Sequence, residues 1–556
     1  MSDQSNKAAK FMREKLGAKV DELVPPGSHL REAEKNEPPK VPWIELPGGN
    51  DRLISEFAKE LGDYLADAPI FRRDRVAVIV NEETGALDVL DAAKFRTEVE
   101  EYVIPYKARY VKQGNDLIRE QNRMSMAKEC AEGTLRSGKF LYRLRKIARV
   151  NLVPMPVMRE DGRLELLKVG YDEAAETYTL PSNVVIDEQL TPEQGPAVWR
   201  DYYSEFPFVD GRSMAVAMAE AVALFVPGLQ ELTANRMGFL FKSNKERTGK
   251  SLVAQFGITP CYGLAEGQTI SGQEEMKKLL DATALEGKPY LFFDNLTGNI
   301  KSNLLESFMT TPKWTGRVFG SNSKTFSAEK GTIVIITGNN ITTSADIAGR
   351  CLLCVLRTED ADPQARVIKR VFTPQKLATA KVRSDLLSAL WAMVRGWDKA
   401  GRPKASRRIA GFEEWSDLVG GIVLAAGFEC PLQKPKDEET TNTAEVDARV
   451  LVAKLADGIA PDRKSHEYVF QDLVDVCYAN NCFDWKLDGK IKKDESGEEW
   501  FECNKASSSA LGRIFNETMA GQIYRLDDGR RVRFGKQGQA RHKRFLVEIL
   551  TDQAAK

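Results

Sequence analysis

An apolar run followed by a loop with glycine and lysine constrains the fold of this chain more than any other feature. The run is Gly238 to Phe241, and the loop is NKERTGKS at 244–251. The run predicts a buried strand, and Leu252 to Phe256 begins a helix. Strand, loop and helix in this order predict an α/β core on a parallel sheet, with its loops gathered at one edge.

Backbone N–H groups, a lysine and a hydroxyl in such a loop bind phosphates and magnesium. Gly249 permits close approach of the backbone, Lys250 is placed to reach the β- and γ-phosphates, and Ser251 is placed to bind the metal. We therefore expect ATP and Mg²⁺ as cofactors. The predicted cofactor-binding residues are Asn244, Thr248, Gly249, Lys250, Ser251 and Leu252.

The triplet Gly-Lys-(Ser/Thr) is weak evidence by itself, because average composition gives roughly 0.3 such triplets by chance in a chain this long. The usual first glycine of the loop is replaced by Asn244, and asparagine is the non-glycine residue that best tolerates a left-handed backbone. The surroundings of the loop therefore decide its interpretation.

Two later apolar runs end in polar residues of suitable types. Tyr290 to Phe293 leads to Asp294, which we expect to hold Mg²⁺ and its waters. Thr332 to Ile336 leads to Asn339, a candidate sensor of the γ-phosphate or of the attacking water. A core strand ending in a turn and an Asn-rich turn are the plain alternatives. The order of the three strands favours a nucleotide site over these alternatives.

An arginine that acts on a neighbouring subunit's nucleotide is predicted at Arg350. The stretch Asp346 to Arg350 precedes another apolar run, at a possible subunit edge. An arginine there can neutralise charge in the transition state of phosphoryl transfer. A surface salt bridge to Asp346 is the alternative role, and Arg357 is a second candidate.

The succession of motifs resembles the superfamily 3 helicases and the related phage and plasmid primase-helicase ATPases of the AAA+ class. The resemblance covers roughly residues 43–549, through NKERTGKS, LFFDN at 291–295, TTPKWTGRVFGSNSKTF at 310–326 and IVIITGNN at 333–340. It implies a ring, usually hexameric, with ATP sites between subunits. It also implies a DNA-gripping hairpin, here expected between Arg317 and Gly331.

The basic candidates of that hairpin are Lys324 and Lys330, with Phe319 and Phe326 for stacking or packing. An ordinary solvated hairpin is the alternative. One residue departs from many AAA+ enzymes, since Asn295 follows Asp294 where a glutamate polarises the attacking water. Because phosphoryl transfer depends mainly on positioning and electrostatics, Asn295 predicts slower turnover, or help from another carboxylate such as Glu306.

The C-terminal region predicts a DNA-binding winged helix. Three helical patterns, at 448–455, 468–478 and 507–515, precede strand-like runs at 523–526, 531–534 and 545–549. Residues 525–544 hold eight Lys or Arg against two Asp, and such a patch binds phosphates. A basic face used for subunit packing is the alternative. The candidate DNA contacts here are Arg513, Arg530, Arg531, Arg533, Lys536, Arg541, Lys543 and Arg544.

The sequence predicts six segments. They are a flexible arm at 1–42, an α+β domain at 43–207, the P-loop ATPase core at 208–357, a helical lid or brace at 358–430, a linker at 431–445 and the winged helix at 446–556. A second basic run at 136–149 is either a contact for the incoming strand or an amphipathic face over a core.

Composition limits the remaining functions. The 80 basic and 80 acidic side chains cancel, so any nucleic-acid surface is a local patch. The sequence has no basic and apolar leader, and Ser213 to Leu229 is too short and carries Glu220, so we expect a cytoplasmic protein that does not cross a membrane. Three histidines and scattered cysteines argue against histidine catalysis and zinc.

Together these features predict an ATP-dependent DNA helicase or translocase. The resemblance implies a ring, a homo-hexamer or similar, that acts on single-stranded or forked DNA in replication of a phage, satellite or mobile element. The N-terminal region lacks the histidine and paired aspartates of a primase, so a primase would be a separate partner. The alternative is an ATP-switched nucleic-acid-binding assembly or defence ATPase without processive unwinding, which Asn295 favours.

Overall fold

The computed structural model describes twelve stretches of the chain. They are residues 41–48, 52–113, 116–269, 272–317, 325–339, 341–358, 370–435, 443–494, 497, 499–526, 528–537 and 544–550. The predicted arm at 1–42 lies almost entirely outside them. Within the described residues, no helix is long and apolar enough to cross a bilayer.

The N-terminal region mixes helices and strands, as expected. A turn at Asn81 to Gly85 joins two antiparallel strands, with the Gly85 N–H donating to the Asn81 carbonyl at 2.7 Å. The helices are α1 Ile54–Tyr64, α2 Ala92–Glu100, α3 Lys128–Arg136, α4 Gly138–Leu141 and α5 Gln194–Tyr203. The strands are β1 Trp43–Glu45, β2 Ile70–Arg73, β3 Val76–Val80, β4 Leu87–Val89, β5 Ile104–Gln113, β6 Asp116–Arg123, β7 Arg145–Lys146, β8 Arg149–Asn151, β9 Pro156–Met158, β10 Leu164–Leu166, β11 Gly170–Asp172 and β12 Thr177–Thr179.

Two arginines of the basic run at 136–149 make packing contacts and hydrogen bonds within the folded protein. The Arg145 guanidinium lies over the rings of Phe71 and Tyr171, at 5.1 and 4.7 Å from their centroids. Arg149 donates to the Gln230 carbonyl at 2.9 Å. Of the two alternatives, the packing role fits these arginines.

A five-stranded parallel sheet forms the centre of the molecule, which confirms the predicted α/β core. Its order is β14-β15-β19-β13-β21, so β13 lies between β19 and β21. Consecutive residues of β13 enter two cores: Phe239 and Phe241 pack on one face, and Leu240 packs on the other. Its strands are β13 Gly238–Ser243, β14 Gly267–Gln268, β15 Tyr290–Leu296, β19 Ile333–Asn339 and β21 Cys351–Leu356.

Helices cover both faces of this sheet. The helix Gly211–Phe225 ends two residues before Pro227, because the residue that precedes a proline is disfavoured in a helical conformation. The helices are α6 Gly211–Phe225, α7 Lys250–Tyr262, α8 Gly272–Glu286, α9 Asn303–Thr310 and α10 Ala345–Arg350. Shorter strands beside the sheet are β16 Asn299–Ile300, β17 Lys313–Arg317, β18 Thr325–Glu329 and β20 Thr342–Thr343.

The segment after the sheet is helical, as predicted, and braces one face of the core. Trp391 packs in the same core as Phe239. Its helices are α11 Pro374–Leu377, α12 Ala380–Lys399, α13 Glu413–Trp415, a π-helical turn at Ser416–Gly420 and α14 Gly421–Ala425. The predicted linker at 431–445 is too long at both ends: Leu432 is buried in this core, and the next helix begins at Thr443.

The C-terminal region has its own core and a four-stranded sheet in the order β22-β27-β26-β25. An antiparallel hairpin at 489–503 is an addition that the sequence patterns did not reveal. The helices are α15 Thr443–Asp457, α16 Phe470–Ala479 and α17 Lys505–Arg513, with a 3₁₀ turn at Asp484–Lys486 and a π-helical turn at Ile514–Met519. The strands are β22 Ser465–Val469, β23 Gly489–Lys493, β24 Glu499–Cys503, β25 Ile523–Arg525, β26 Arg531–Gln537 and β27 Arg544–Leu550.

Candidate nucleotide site

The loop between β13 and α7 lies at the carboxyl edge of the central sheet. Gly249 caps the helix with a φ of 97°, and Arg247 also has a left-handed backbone, with a φ of 59°. Asn244 is not among the left-handed residues, so the expected reason for its tolerance is wrong. A Cβ at Gly249 would lie 3.0 Å from Phe206, which adds a steric reason for glycine there.

Asn244 instead anchors the loop to the chain that follows β21. Its Nδ2 donates to the Thr358 carbonyl at 2.9 Å, and its Oδ1 accepts from the Thr358 N–H at 3.2 Å. The side chain thus imitates a pair of strand hydrogen bonds. Glycine has no side chain to make these bonds, which gives Asn244 a structural role of its own.

The Lys250 ammonium is held in a largely desolvated position. The residue is 6% exposed, and its Nζ lies 3.4 Å from Asn295 Oδ1. Burial lowers the pKa of Lys250, while the nearby Asp294 and Glu246 carboxylates raise it. Its hydrogen-bond partner is a neutral carboxamide, so the ammonium is suited to receive an anion.

Asp294 and Asn295 are oriented by one hydroxyl, that of Thr337. Thr337 Oγ1 donates to Asp294 Oδ1 at 2.6 Å and accepts from the Asn295 N–H at 2.8 Å. The strand has an irregularity between Phe293 and Leu296, and Asn295 has a φ of 55°. Asparagine adopts this left-handed backbone more readily than glutamate does. The departure at Asn295 therefore has a local structural reason.

Asn339 lies directly beside the end of β13. It pairs in register with Ser243, and Ser243 Oγ lies 2.8 Å from Asn339 Oδ1. Ser243 and Thr337 were missed by the sequence analysis. Both are polar residues at the ends of buried strands, the same signal that selected Asp294 and Asn339.

The remaining loop residues complete the first turn of α7. Thr248 is 3% exposed, and its hydroxyl donates to the Lys245 carbonyl at 3.2 Å. Ser251 and Leu252 follow Lys250 and are half-buried. The Ser251 hydroxyl and the Asp294 carboxylate are oxygen donors, the type that Mg²⁺ prefers.

Arg350 lies at the opposite edge of the sheet from the loop. Cys351 pairs with Gly238 at the amino ends of two parallel strands, whereas the loop follows Ser243 at the carboxyl end. The separation is about 20 Å for six residues of strand. Arg350 donates to Asp346 at 2.8 Å, which is the salt bridge considered as its alternative role.

Two other candidates near the site have different positions. Arg357 follows β21 directly, at the same edge as the loop, and is exposed. Glu306 accepts a hydrogen bond from the Ser344 hydroxyl at 2.5 Å, at the start of α10.

The hairpin formed by β17 and β18 begins earlier than the expected 317–331. Lys324 and Phe319 lie outside the described residues, and Phe326 is buried. Lys330 is 7% exposed, with its ammonium 4.4 Å from the centroid of the Phe308 ring. Burial and, to a lesser extent, the neighbouring Arg236 lower the pKa of Lys330 to about 7. The expectation that Lys330 contacts DNA is therefore wrong in this structure.

The C-terminal basic residues are partly neutralised by acids outside the basic stretch. Arg530 pairs with Asp457 at 2.6 Å and with Asp528 at 2.5 Å. Two further pairs join neighbouring strands, Arg533 with Glu548 at 3.2 Å and Arg544 with Glu467 at 3.1 Å. Exposed members of the predicted set include Arg513, Arg531 and Lys536, whereas Arg541 and Lys543 lie outside the described residues.

Neither a protein-family model nor a curated protein matches this chain. Among solved structures, it is similar to the apo C-terminal region of NrS-1, with a TM-score of 0.32 and 9% identity over 74% of this chain and 99% of that chain. It is also similar to the active helicase Cch of SCCmec type IV, with a TM-score of 0.28 and 10% identity over 78% and 98% of the two chains. The JCV helicase gives a TM-score of 0.19 and 12% identity over 43% and 68%. Likenesses this small do not establish a shared activity, so function must be argued from the site.

Proposed function

We propose that this chain is an ATP-dependent DNA helicase or translocase that works as a ring in replication of a phage, satellite or mobile element. One observation carries the proposal. Lys250, Asp294 and Asn339 come from three separate segments and meet at one edge of the central sheet. Hydrogen bonds between neighbouring strands link the polar residues that surround them.

In this proposal the loop residues bind ATP and the strand ends orient its reaction. Lys250 holds the β- and γ-phosphates, and Ser251 and Asp294 hold Mg²⁺. The bound Mg²⁺ supplies charge neutralisation on the transferring phosphoryl group. Thr337 holds the Asp294 carboxylate in place through its 2.6 Å hydrogen bond to Oδ1, so that Asp294 would be ready to bind the metal.

The attacking water is positioned by carboxamides. Asn295 and Asn339 can each donate and accept hydrogen bonds, but neither can take the proton of the water. Hydrolysis is therefore slow within one subunit. Arg350 lies too far from its own chain's loop to help, so it acts on the nucleotide of a neighbouring subunit, and ring assembly raises the rate.

The nucleotide site is connected to the hairpin of β17 and β18 through Asp281 on α8. The Asp281 carboxylate accepts from Trp314 Nε1 at 2.7 Å and from the Arg317 N–H at 3.3 Å. Since α8 precedes β15, which carries Asp294, a change at Asp294 would reach the hairpin through α8 and Asp281 in this proposal. In the proposed motor, this path transmits the power stroke to DNA.

The C-terminal region is proposed to be a winged helix that binds DNA. A helix, a strand, a second helix, the added hairpin of β23 and β24, a third helix and then paired strands follow one another. Apart from the hairpin, this is the order of that fold. On α17 the side chains of Lys505, Ser509 and Arg513 are exposed and lie four residues apart, so they share one face. We assign this face to the DNA, with Lys536 on the neighbouring sheet.

The decisive experiment is a strand-displacement assay on forked DNA with ATP, run beside ATPase measurements with and without single-stranded DNA. Lys250→Ala is expected to abolish both activities. The matched control is Lys278→Ala, an exposed lysine on α8 paired with Glu275, which is expected to retain them. Absence of nucleotide binding by the wild type would contradict the proposal.

A second function is favoured by Asn295, which cannot accept a proton. The chain would then be an ATP-switched nucleic-acid-binding assembly or defence ATPase. Hydrolysis stimulated by DNA but without strand displacement supports this second function over the first.

A further inference from the structure

A large cleft lies away from the nucleotide site, near the carboxyl end of α7 and the amino end of β15. Its volume is about 800 Å³. One wall is the turn between β3 and β4 with Leu152, and the other wall includes Leu264 and Tyr290. The cleft therefore joins the N-terminal region to the ATPase core, and the proposed nucleotide chemistry does not use it.

The cleft is acidic. Five carboxylates line it, against Lys288 and Arg383; they are Glu82, Glu83, Asp88, Glu266 and Glu286. Glu286 pairs with Lys288 at 3.0 Å, and Asp88 pairs with Lys94 at 2.7 Å. The other three carboxylates are exposed and form no ion pair with a described residue. They leave the mouth of the cleft with uncompensated negative charge, which repels nucleic acid and attracts cations.

The same cleft has an apolar surface that is open to solvent. Leu264 is 53% exposed, although it lies among leucine and tyrosine side chains. The rings of Tyr262 and Tyr290 are 5.6 Å apart between centroids and form part of this surface. An exposed apolar side chain beside unpaired carboxylates fits a ligand that is both basic and apolar.

A buried hydroxyl in the wall adds an independent sign of a ligand. Thr283 on α8 is fully buried and lines the cleft, and its Oγ1 has no hydrogen-bond partner among the described residues. Buried polar atoms are nearly always paired in folded proteins. A ligand with a polar backbone can supply the missing partner.

We propose that this cleft binds a basic, partly apolar peptide segment of a partner protein. Lysine or arginine side chains of the segment pair with Glu82, Glu83 and Glu266, and an apolar side chain packs on Leu264. A peptide fits better than a metal ion, because no group of three potential metal ligands is close enough within the described residues. The volume of the cleft is also large enough to hold several side chains of a peptide.

The test uses the full chain without nucleotide, so its result does not depend on the proposed ATPase activity. The probe is a fluorescein-labelled peptide of about twelve residues that alternates lysine with leucine, followed by fluorescence anisotropy at near-physiological salt. We expect saturable binding to the wild type, and a Kd raised about tenfold in the triple variant Glu82→Gln, Glu83→Gln, Glu266→Gln. Leu264→Asn, which removes the apolar surface without adding charge, separately tests the apolar contact and is expected to weaken binding.

The matched control is the triple variant Glu160→Gln, Glu414→Gln, Glu517→Gln, which removes exposed carboxylates outside the cleft. It is expected to bind the peptide as the wild type does. Equal weakening in both triple variants would mean non-specific attraction and would overturn the proposal. Binding of spermine with the same affinity as the peptide, or no binding of the peptide to the wild type, would also overturn it.

Discussion

The candidate nucleotide site and the C-terminal basic surface both contain charged side chains, but these side chains have different surroundings. At the nucleotide site Lys250 is 6% exposed and bonded to a neutral carboxamide. On the C-terminal sheet Arg533 and Arg544 are exposed and paired with glutamates on neighbouring strands. Charges act strongly where water is excluded, whereas an exposed ion pair is worth about 0–1 kcal/mol.

The number of basic residues in a stretch therefore does not determine how strongly that stretch can bind an anion. One buried ammonium without a carboxylate partner is ready for a ligand. Several exposed arginines with partners are partly satisfied already. We therefore expect single substitutions to have large effects in the core and small effects on the C-terminal sheet.

The largest effect is expected for Asp294→Asn. The variant keeps the shape and the Thr337 contact but removes the negative charge that holds Mg²⁺, so kcat for ATP should fall about 100-fold or more. Steady-state phosphate release at saturating ATP and Mg²⁺ measures this. Asp161→Asn, at an exposed carboxylate in the turn between β9 and β10, is the control. A loss of less than threefold in Asp294→Asn would remove Asp294 from the proposed site.

Lys330 extends the comparison, since it is a basic residue expected on a DNA surface but buried in the core. The pKa of Lys330 is lowered to about 7 in the folded protein. Between pH 7 and the higher pKa of an unfolded lysine, the unfolded state therefore binds more protons than the folded state. The free-energy cost of burying the charged ammonium is fully present below pH 7 and decreases as the pH rises above 7. Lys330→Met should therefore stabilise the folded protein and raise its melting temperature. The gain in the free energy of unfolding should be about 2 kcal/mol larger at pH 6 than at pH 9.

Differential scanning fluorimetry across that pH range measures the effect. The control is Lys278→Met, at an exposed lysine that is expected to show no such pH dependence. A gain that is constant with pH would mean that burial does not lower the pKa of Lys330 in the folded protein.

A smaller effect is expected for Thr337→Val. The substitution removes the hydroxyl that orients Asp294 and leaves the Asn295 N–H without its partner. Loss of one such buried hydrogen bond costs about 1–3 kcal/mol, so hydrolysis should fall about tenfold. Thr337→Ser retains the hydroxyl and should restore most of the rate. Equal rates in the valine and serine variants would exclude this orienting role.

The sequence was sufficient to predict the central sheet and the proximity of the polar residues at the ends of its strands. Apolar runs followed by Asp294 and Asn339 report local burial, and parallel strands then bring their ends together. Ser243 and Thr337 share the strand-end position of Asp294 and Asn339, but nothing in the local sequence shows which distant residue their hydroxyls contact. Their roles come from contacts with residues that are far away in the sequence.

The C-terminal surface was predicted less well for the same physical reason. The acids that pair with Arg533 and Arg544 are Glu548 and Glu467, which lie outside the basic stretch. Only the register of β26, β27 and β22 places Glu548 opposite Arg533, and Glu467 diagonally across from Arg544. A charge count along the chain cannot include a partner that is fixed by strand pairing.

The smallest effect is expected on the affinity for DNA, when an arginine without an ion pair among the described residues is compared with a paired arginine on the proposed DNA surface. Arg513 is exposed on α17, whereas Arg533 is held by Glu548 at 3.2 Å. A phosphate contact by Arg513 releases a counterion, so Arg513→Ala should raise the Kd for DNA about threefold and reduce the salt slope by about 1. Arg533→Ala should change the Kd less than about twofold, because breaking an exposed pair offsets part of any gained contact. Anisotropy titrations at several salt concentrations distinguish the two variants. Glu548→Gln removes the ion pair of Arg533 and should lower the Kd for DNA if that pair keeps Arg533 from contacting phosphate.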